Sequence, residues 1–598
     1  MTYNTISEMF LNTVKQYSDK KLFNYKKNNN WNSLTGSDIM SIVEKISFAL
    51  HRNDIRPQDK VAILSATNYR WPLCDYGIIC SGAVTVTIYP TLLPDQIVHI
   101  INDSDSKMIF VENEIQLEKV KSVLDSCKKL KTIVVMDNSL ETEEKYIVNL
   151  NTFMIADKEY NNDNNLNFEN MVSHSKPDDL LTLIYTSGTT GLPKGVMLTH
   201  QNLATNIKDV QEISTIEKND SFLSFLPLSH VLERMAGHFS PFSAGCSIYY
   251  AESMETVAVN MNEVSPSIVI CVPRFFEKMY NKLMLSINSS SVIKRSLFKW
   301  ALQVGKDYTN IIHAGYKPKF ILSLKKNIAS KLIYSKIKNK LGGNIRFFIS
   351  GGAPLSRNIA EFFSSLDLMI LEGYGLTETS PVLTASRPDK IRFGSPGIPL
   401  SNVDIKIASD GEILAKGPNI MKGYYKSPNL TDEVFDDDGW FKTGDIGEID
   451  QDGFLKITDR KKSLIVTSAG KNIAPAPLET ALTSSDYIEQ ALVIGDKRNY
   501  VSALLVPDFD NIVKFLSDRG KELSSNEAII EHLDVIDMID QEVNRVMQKF
   551  SKTEQVKKVA LISRQFLIEK GEMTPKMSIV RKVVESNFKD KINNLYEV

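Results

Sequence analysis

Apolar runs of strand character alternate with helical patterns through the first half of the chain, and this alternation constrains the fold more than any other feature. Strand-like runs stand at 60–67, 107–113 and 131–137, and the stretches at 95–103 and 115–130 carry apolar residues at helical spacing. Because βαβ units place successive strands in parallel, the pattern predicts a largely parallel sheet. The sequence therefore indicates the α/β class.

The pattern changes from about residue 400. Short strand-like runs are separated there by Asp-Gly pairs at 410–411, 438–439 and 452–453, and such pairs favour antiparallel hairpins. After DRKKS, residues 459–463, the α/β character returns, with a long helical stretch near 526–549. A chain of 598 residues is too long for one core. We therefore place a domain boundary at 459–463.

Composition narrows the class of protein. With 42% hydrophobic and 24% charged residues, the chain is typical of soluble globular proteins and is neither disordered nor a disulfide scaffold. The five cysteines include no C-x-x-C pair, which disfavours a zinc site and fits a cytosolic compartment. The first residues have no apolar signal core, and their apolar positions predict a docked amphipathic helix.

Positive charge is concentrated between residues 281 and 340. This segment holds thirteen Lys or Arg residues against one acid, Asp307, which gives it a net charge of +12 in a chain of net charge −2. Apolar residues stand between the basic ones at roughly helical spacing. Such a pattern fits an anionic membrane surface, a polyanionic ligand or a solvated helical face.

The stretch YTSGTTGLPKG, residues 185–195, follows an apolar strand-like run and has the composition of a phosphate cradle. Its glycines let backbone amides approach phosphate oxygens, and its hydroxyls and one cation add donors. Lys194 precedes Gly195 with no Ser or Thr after it, so this is not a Walker A loop. A triphosphate cradle is the prediction, and a plain Gly/Thr turn is the alternative. The cradle residues are Thr186, Ser187, Gly188, Thr189, Thr190, Gly191 and Lys194.

Further loops carry residues suited to a nucleotide. In GYGLTET, residues 373–379, Tyr374 could stack on a base and Glu378 could bind Mg²⁺ through oxygen. Asp445 in WFKTGD could accept hydrogen bonds from ribose, and Arg460 in TDRKKS could contact the same sugar or a phosphate. Each of these residues alone fits turn chemistry or an ion pair equally well.

Six motifs in this order resemble the adenylate-forming superfamily, which includes acyl-CoA synthetases, peptide-synthetase adenylation domains and luciferases. They are YTSGTTGLPKG, LPLSHVLERM, SGGAPLS, GYGLTETSPV, WFKTGD and DRKKSLI. PLSHVLER, VPRFFEKMY and GDKRNYVSALLVPD look most like the long-chain fatty acid:CoA ligases. Together the motifs are specific, although any one would be a hypothesis only.

The resemblance implies a fold and a domain plan. We expect a large N-terminal domain over 1–458, with parallel α/β sheets and a small β-barrel-like subdomain. A hinge at 459–463 and a small mobile α+β C-terminal domain over 464–598 complete it. In this family the small domain rotates between half-reactions, and the position usually taken as the hinge corresponds to Lys462.

The resemblance also implies the reaction. A carboxylate attacks the α-phosphate of ATP with Mg²⁺, giving acyl-adenylate and pyrophosphate, and the thiol of coenzyme A then displaces AMP. By this carry-over the cradle holds the β- and γ-phosphates, Thr377 contacts the α-phosphate, and Glu378 with Thr186 binds the metal. His230 would stand at the mouth of an acyl site built from 221–250 and 269–280. The residues implied around adenine and ribose are Gly351, Gly352, Ala353, Tyr374, Gly375, Asp445 and Arg460.

The chain departs from the family pattern near its C-terminus. Many members place the adenylation lysine in P-x-x-x-x-G-K, whereas this chain reads EMTPKMSIVRK. Lys576 or Lys582 would take the role, or Arg581 would supply charge alone, and the sequence leaves the three open.

Two other functions stay open. One is a fatty acyl-AMP ligase that delivers the acyl group to a carrier protein, or a ligase for medium-chain or other carboxylates. The other is a silent scaffold, which the retained Lys194, Glu378, Asp445 and Arg460 disfavour. We expect fatty acid, ATP and coenzyme A as partners and no nucleic acid. The expected location is the cytoplasm, with an anionic membrane surface as a further partner of 281–340.

Overall fold

The computed structural model describes residues 3–140, 144–155, 167–186, 193–313, 315–468, 471–523, 525–567, 569–574 and 579–597. At residues 462 and 472 it describes the backbone only.

Strands occur throughout the described residues. In chain order they are β1 Lys21–Lys27, β2 Asn30–Thr35, β3 Lys60–Leu64, β4 Val84–Ile88, β5 Met108–Val111, β6 Thr132–Val135, β7 Ile147–Asn149, β8 Leu180–Thr186, β9 Lys194–Thr199, β10 Ser221–Ser224, β11 Ser247–Tyr250, β12 Ile268–Cys271, β13 Phe347–Ser350, β14 Met369–Gly375, β15 Val382–Ala385, β16 Ile398–Pro399, β17 Asp404–Ile407, β18 Glu412–Lys416, β19 Gly423–Tyr424, β20 Phe441–Ile449, β21 Leu455–Arg460, β22 Ile465–Val466, β23 Asn472–Ile473, β24 Ile488–Ile494, β25 Ser502–Pro507 and β26 Lys558–Leu561.

Helices connect most of these strands. The α-helices are α1 Ile6–Gln16, α2 Gly36–Arg52, α3 Arg70–Cys80, α4 Pro94–Ser104, α5 Glu114–Lys121, α6 Leu150–Phe153, α7 Phe168–Ser173, α8 His200–Ser214, α9 Ser240–Ser243, α10 Val257–Val264, α11 Pro273–Asn288, α12 Val292–His313, α13 Phe320–Ala329, α14 Ser335–Asn339, α15 Arg357–Ser365, α16 Pro428–Glu433, α17 Pro475–Thr483, α18 Phe509–Ser517, α19 Asn526–Glu531, α20 Leu533–Met547, α21 Arg581–Asn587 and α22 Lys589–Asn594. Short 3₁₀ turns cover Leu124–Ser126, Thr377–Thr379 and Lys461–Ser463, and π-helical segments cover Glu233–Phe239 and Ser330–Tyr334.

Two large sheets dominate the described part of the chain. One has the strand order β16-β15-β14-β13-β12-β10-β11-β1-β2, and the other has the order β19-β9-β8-β4-β3-β5-β6-β7. Neighbours are parallel from β14 to β1 in the first sheet and from β8 to β7 in the second, and antiparallel pairs lie at the margins. The predicted parallel α/β fold is confirmed.

Smaller sheets follow residue 400. Strands β17, β18, β20 and β21 are neighbours in that order, β22 pairs with β23, and β24, β25 and β26 form another sheet. Two of the predicted Asp-Gly turns join β17 to β18 and β20 to β21, and the third lies between Phe435 and Phe441, which form an antiparallel bridge. The sheet of β17, β18, β20 and β21 is the barrel-like element that was expected, and α/β character returns after it.

The chain divides into two compact units. The first comprises residues 1–406, 414–442 and 450–455, and the second comprises residues 407–413, 443–449 and 456–598. The predicted boundary at 459–463 stays a prediction, because the compact second unit also includes short pieces of the hairpins that precede it.

The core of the first unit lies between its large sheets and the helices that pack on them. The N-terminal helix α1 is docked as predicted, with Ile6, Met9, Phe10 and Val14 buried. Its start is fixed by a capping box between Thr5 and Glu8, which satisfies two backbone donors.

The second unit has its own core, between α17, α20 and the sheet of β24 to β26. The helical stretch predicted near 526–549 consists of two helices, because the helix is interrupted at His532. There the backbone is extended and the imidazole accepts from Asp534 N, which starts the second helix. Among the helices in the described ranges, none combines the length and the apolar composition needed to cross a bilayer.

Candidate active site

The ends of the predicted phosphate cradle lie opposite each other. β8 and β9 are antiparallel, and their register places Thr186 directly across from Lys194. Below this pair, the Tyr185 hydroxyl donates to Asp103 at 2.6 Å. Five predicted cradle residues lie outside the described residues: Ser187, Gly188, Thr189, Thr190 and Gly191. The described part of the loop is therefore a hydroxyl and a lysine at its two ends.

A third strand brings Glu378 to this lysine. β19 pairs with β9, with Tyr424 opposite Val196, and the Lys194 ammonium lies 3.6 Å from the centre of the Tyr424 ring. The Tyr424 hydroxyl donates to Glu378 Oε1 at 2.9 Å. Lys194 and Glu378 are 184 positions apart in the sequence, and one tyrosine contacts both of them.

The turn that carries Thr377 and Glu378 is held by buried amides. The side-chain amide of Asn419 donates to the carbonyl of Thr379 at 2.9 Å, and the Glu378 carbonyl accepts from Met421 N at 2.8 Å. Gly375 has to be glycine, because a Cβ there would lie 1.6 Å from the Pro381 carbonyl oxygen. Thr377 and Glu378 are both largely buried, so the turn offers few alternative positions to the carboxylate.

The residues predicted around adenine follow two adjacent parallel strands. β13 and β14 pair in parallel with Ser350 opposite Glu372, so Gly351 and Tyr374 come at the same edge of the sheet. Gly352 has a φ of +83°, which favours glycine. Burial raises the pKa of the Glu372 carboxyl to about 8.

The motif around His230 is mostly structural. His230 is half-buried, and its ring nitrogen Nδ1 accepts from Leu232 N at 3.2 Å. Arg234 is paired with Asp75, at 2.8 Å from Nε to Oδ2, and also donates to Thr182 at 2.7 Å. The arginine of this motif therefore joins the π-helical segment to the core, and the role given to His230 stays a prediction.

Asp445 and Arg460 come together within the second unit. Arg460 Nε lies 2.8 Å from Asp445 Oδ1. The carboxylate is buried, and its backbone N–H donates to the Thr443 hydroxyl at 3.1 Å, while Gly444 N donates to Glu412 at 2.9 Å. Most of the Arg460 side chain is exposed, so its other guanidinium donors face solvent where a ligand can meet them.

The three candidate C-terminal cations differ in surroundings. Arg581 is half-buried and paired with Glu479 at 2.6 Å, and it also donates to the Val493 carbonyl. Lys582, the next residue, is exposed, and Lys576 lies outside the described residues. The ion pair gives Arg581 a structural use, and the choice among the three cations stays a prediction.

Sequence reasoning missed the residues that hold the site together. Tyr424 and Asn419 contact Glu378 or its turn, and Asp75 contacts Arg234 in the motif of His230. Each stands in a stretch with no pattern typical of a site. Tyr424 follows a glycine in KGYYKS, which by itself indicates only a turn. Their roles depend on which strands become neighbours, and this information is absent from local sequence.

A family model described as AMP-binding enzyme matches residues 10–425 of this chain, and a model described as AMP-binding enzyme C-terminal domain matches residues 462–598. The chain belongs to the AMP-binding enzyme family. The described site residues of its first unit, from Thr186 to Tyr424, lie within the first of these matches.

Similar proteins of known class show to which group of AMP-binding enzymes the chain belongs. The chain is 32% identical over 573 residues to the long-chain-fatty-acid–CoA ligase FadD15 of Mycobacterium bovis, covering 95% of this chain and 92% of the relative. It is 31% identical over 624 residues to the long-chain-fatty-acid–CoA ligase ACSBG2 of Xenopus laevis, covering 99% and 84%. Within the AMP-binding family, this enzyme therefore belongs with the long-chain-fatty-acid–CoA ligases.

Solved structures of AMP-binding enzymes share the fold. The adenylation domain of a carboxylate reductase from Mycobacterium chelonae matches with a TM-score of 0.78 at 22% identity, covering 99% of this chain and 91% of that one. The anthranilate CoA ligase AuaEII, solved in complex with anthranoyl-AMP, matches with a TM-score of 0.71 at 17% identity, covering 98% of both chains. At these identities the likeness concerns the fold alone.

Proposed function

We propose that this enzyme activates a long-chain fatty acid with ATP and transfers the acyl group to coenzyme A, giving acyl-CoA, AMP and pyrophosphate. The observation that carries the proposal is that Lys194 lies over the ring of Tyr424 while the hydroxyl of the same tyrosine donates to Glu378. A cation and a carboxylate that contact the same tyrosine are suited to a polyphosphate and its metal. The substrate class is that named for the relatives.

In the first half-reaction, a carboxylate oxygen of the fatty acid attacks the α-phosphorus of ATP. The bond from this phosphorus to the oxygen bridging to the β-phosphate breaks, and pyrophosphate leaves with the electron pair. Negative charge is spread over the phosphate oxygens in the transition state, so fixed donors lower the barrier. Lys194 and the hydroxyl of Thr186 would bind the β- and γ-phosphates together with the loop 187–191, and Thr377 would donate to the α-phosphate.

Glu378 is the residue we propose for Mg²⁺, with the Thr186 hydroxyl in support. In the described ranges no three His, Cys, Asp or Glu side chains gather into a cage. A single carboxylate fits Mg²⁺ bound to ATP, because this ion keeps water and phosphate oxygens as its other ligands. When bound, the ion would supply positive charge to the phosphates.

For the nucleoside, we propose that the loop of Gly351, Gly352 and Ala353 and the segment of Tyr374 and Gly375 flank adenine. A glycine backbone permits close approach to a flat base, and the tyrosine ring can stack on it. Asp445 and Arg460 would bind the ribose hydroxyls. The paired carboxylate accepts and the exposed guanidinium donates, which fits a diol or a neighbouring phosphate.

In the second half-reaction, the sulfur of coenzyme A attacks the acyl carbon and the thioester bond forms. The thiol loses its proton, the bond from the carbonyl carbon to the AMP oxygen breaks, and AMP leaves with the electron pair. We propose that the second domain, residues 464–598, rotates about 459–463 between the steps. Lys576 or Lys582 would supply the adenylation cation, or Arg581 would supply charge alone. His230 would stand at the entrance to the acyl site.

The hinge has its own test. Replacing Lys462 by proline fixes φ and removes a backbone donor. Thioester formation from preformed acyl-adenylate should fall more than pyrophosphate exchange. Equal loss in the two half-reactions would count against alternation of the domains.

The test of the reaction is a product assay. Purified enzyme is incubated with ATP, Mg²⁺, coenzyme A and acids from octanoate to oleate, and AMP and acyl-CoA are measured. Both products should rise together for long acids. Pyrophosphate exchange without acyl-CoA would favour delivery to a carrier protein instead, and no product from any acid would reject the proposal.

Glu378→Ala tests the site within this assay. It should lower adenylate formation by at least about a hundredfold, since a charge-assisted contact present in the transition state is lost. Glu361→Ala is the matched control, because Glu361 pairs with Arg357 one turn earlier in the same helix, α15. Equal activity of the two variants would remove Glu378 from the site.

We also propose that the enzyme works in the cytoplasm and takes its acid from the inner face of the membrane. Long-chain acids partition into lipid, so a ligase that rests on the bilayer meets a higher local concentration of substrate. Basic residues within 281–340 would supply attraction to anionic lipid.

A further inference from the structure

An exposed apolar stripe runs along the helical segment 320–334. Phe320, Leu324, Ile328 and Leu332 follow one another at intervals of four residues, so they share one face of the helix. Their exposed fractions are 82%, 51%, 44% and 40%. Ile321, beside the first of them, is also exposed.

The other face of the same segment is packed. Ala329 and Tyr334 are buried, and the Tyr334 hydroxyl donates to the Ala301 carbonyl in α12 at 2.7 Å. The packing is close, since a Cβ at Gly305 would lie 2.9 Å from that hydroxyl oxygen. The helical segment is therefore firmly packed on α12 through the face opposite the stripe. The stripe faces solvent while its opposite side is held.

Positive charge borders the stripe. Lys325 stands one turn after Ile321 and Lys331 about two turns after Leu324, and both side chains are exposed. Lys326 is different, because it pairs with Asp367 at 2.9 Å and lies over the Tyr308 ring. Other exposed lysines of the segment 281–340 are Lys282, Lys294, Lys299, Lys306, Lys317, Lys319, Lys336 and Lys340.

We propose that the basic ridge, formed by Phe320, Ile321, Leu324, Ile328, Leu332, Lys325 and Lys331, docks on the surface of an anionic phospholipid bilayer. Apolar side chains on one helix face enter the boundary between headgroups and acyl chains, and lysines meet the anionic headgroups. A second copy is a poor occupant, because two segments of charge +12 repel each other. This inference rests on the membrane association proposed above, which it assigns to one surface, and it does not depend on the proposed reaction.

Vesicle binding by the full-length protein tests the ridge. Sedimentation with vesicles of phosphatidylcholine alone is compared with vesicles that also contain phosphatidylglycerol, at low and high salt. Binding should need the anionic lipid and weaken with salt. The pair Lys325→Glu and Lys331→Glu should weaken it by at least about tenfold, since each basic residue contributes about 1 kcal/mol. Phe320→Ser with Leu324→Ser should weaken it also.

Controls outside the ridge keep the test specific. Lys549→Glu with Lys552→Glu makes the same charge change at exposed lysines of the second unit, and Leu533→Ser removes an exposed apolar residue there. These proteins should bind as the wild type does. Equal binding to neutral vesicles, or ridge variants that bind normally, would overturn the proposal. So would ridge variants that change the oligomeric state in light scattering while vesicle binding stays unchanged.

A different observation supports a second inference, which concerns Tyr424. Its hydroxyl donates to Glu378 and its ring lies beneath the Lys194 ammonium. Its backbone is fixed by pairing with Val196 and by donation to the Thr431 hydroxyl at 2.9 Å.

We infer that Tyr424 is a positioning residue for the metal and phosphate site. Its hydroxyl fixes the rotamer of the Glu378 carboxylate, and its ring face attracts the ammonium of Lys194. Both charged groups are thereby in place before ATP binds, which lowers the reorganisation needed in the transition state. This inference rests on the proposed adenylation.

The test is the Mg²⁺ dependence of pyrophosphate exchange. Tyr424→Phe keeps the ring and removes the donor, so the Mg²⁺ concentration for half-maximal rate should rise about tenfold, as expected for one hydrogen bond to a charged group. The rate at saturating Mg²⁺ should fall less. Tyr425→Phe is the matched control, because Tyr425 is the next residue and its ring lies near Lys60 and Lys426.

The outcomes separate the two ideas. An unchanged Mg²⁺ dependence in Tyr424→Phe would overturn the positioning role. A loss of melting temperature in Tyr424→Phe with normal Mg²⁺ dependence would also overturn it, because that result indicates packing alone. No pyrophosphate exchange by the wild-type enzyme would instead reject the proposed function.

Discussion

Two arginine–aspartate pairs in this enzyme have the same chemistry and different surroundings. Arg234 and Asp75 in the first unit are 1% and 0% exposed, whereas Arg460 is 64% exposed beside an Asp445 that is 4% exposed. The Arg234 guanidinium donates its hydrogen bonds to Asp75 and Thr182. The Arg460 guanidinium has N–H donors that face solvent. Both arginines come from motifs of the family resemblance, so motif membership alone does not distinguish structural from ligand-binding roles.

The difference has a physical cause. A buried charge loses its hydration, so its partner must stay in place for the fold to persist. A pair with one exposed member retains most of its hydration and contributes little to stability. An exposed guanidinium can exchange water for a ligand at small cost. The first pair is therefore expected to act on stability and the second on binding.

The largest effect is expected from Arg234→Met. Removal of the guanidinium leaves Asp75 buried without its cation, so the free energy of unfolding should fall by about 3–5 kcal/mol. Calorimetric unfolding measures it. The double variant with Asp75→Leu should recover much of the loss, because the isolated charge is then gone. A loss below about 1 kcal/mol would end the comparison.

A smaller effect, on a different quantity, is expected from Arg460→Met. The KM for ATP in pyrophosphate exchange should rise roughly tenfold or more, since charge-assisted hydrogen bonds contribute about 1.5–3 kcal/mol. The melting temperature should stay close to that of the wild type. A loss of stability as large as that of Arg234→Met, with an unchanged KM, would show that the pair at Asp445 is structural too.

Glu233 precedes Arg234 and is equally buried. Its carboxyl accepts from the Ser224 hydroxyl at 2.5 Å, so it offers a buried acid to compare with Asp75, which is paired with an arginine. Burial raises the pKa of Glu233 to about 8 from 4.5. Between these values the folded chain keeps a proton that the unfolded chain releases, so this group makes stability fall as pH rises from 4.5 to 8.

Glu233→Gln should remove that part of the pH dependence. Melting temperatures of the wild type and variant are compared at pH values across this interval, and the difference should favour the variant increasingly as pH rises. Glu522→Gln, at an exposed position, is the control. A constant difference between wild type and Glu233→Gln would contradict a protonated Glu233.

Local sequence predicted the helices and strands well where the signal is local. The strand-like runs at 60–67 and 131–137 contain β3 and β6, and the Asp-Gly turns at 410–411 and 452–453 join adjacent strands. Alternation of polarity and turn chemistry act over a few residues, so they can be read from the chain alone. The helical stretch predicted near 526–549 is present as two helices, Asn526–Glu531 and Leu533–Met547. The break between them, where His532 caps the second helix, does not interrupt the polarity pattern and could not be predicted from it.

By itself the sequence determined the α/β class and the membership of an adenylate-forming family, since each depends on short stretches and their order. Only the tertiary structure decided that Tyr424 stands between Lys194 and Glu378, and that Arg234 is committed to Asp75. Such contacts depend on strand order and register, which bring together residues far apart in the chain. They arise from packing of the whole sheet, and no local pattern encodes them.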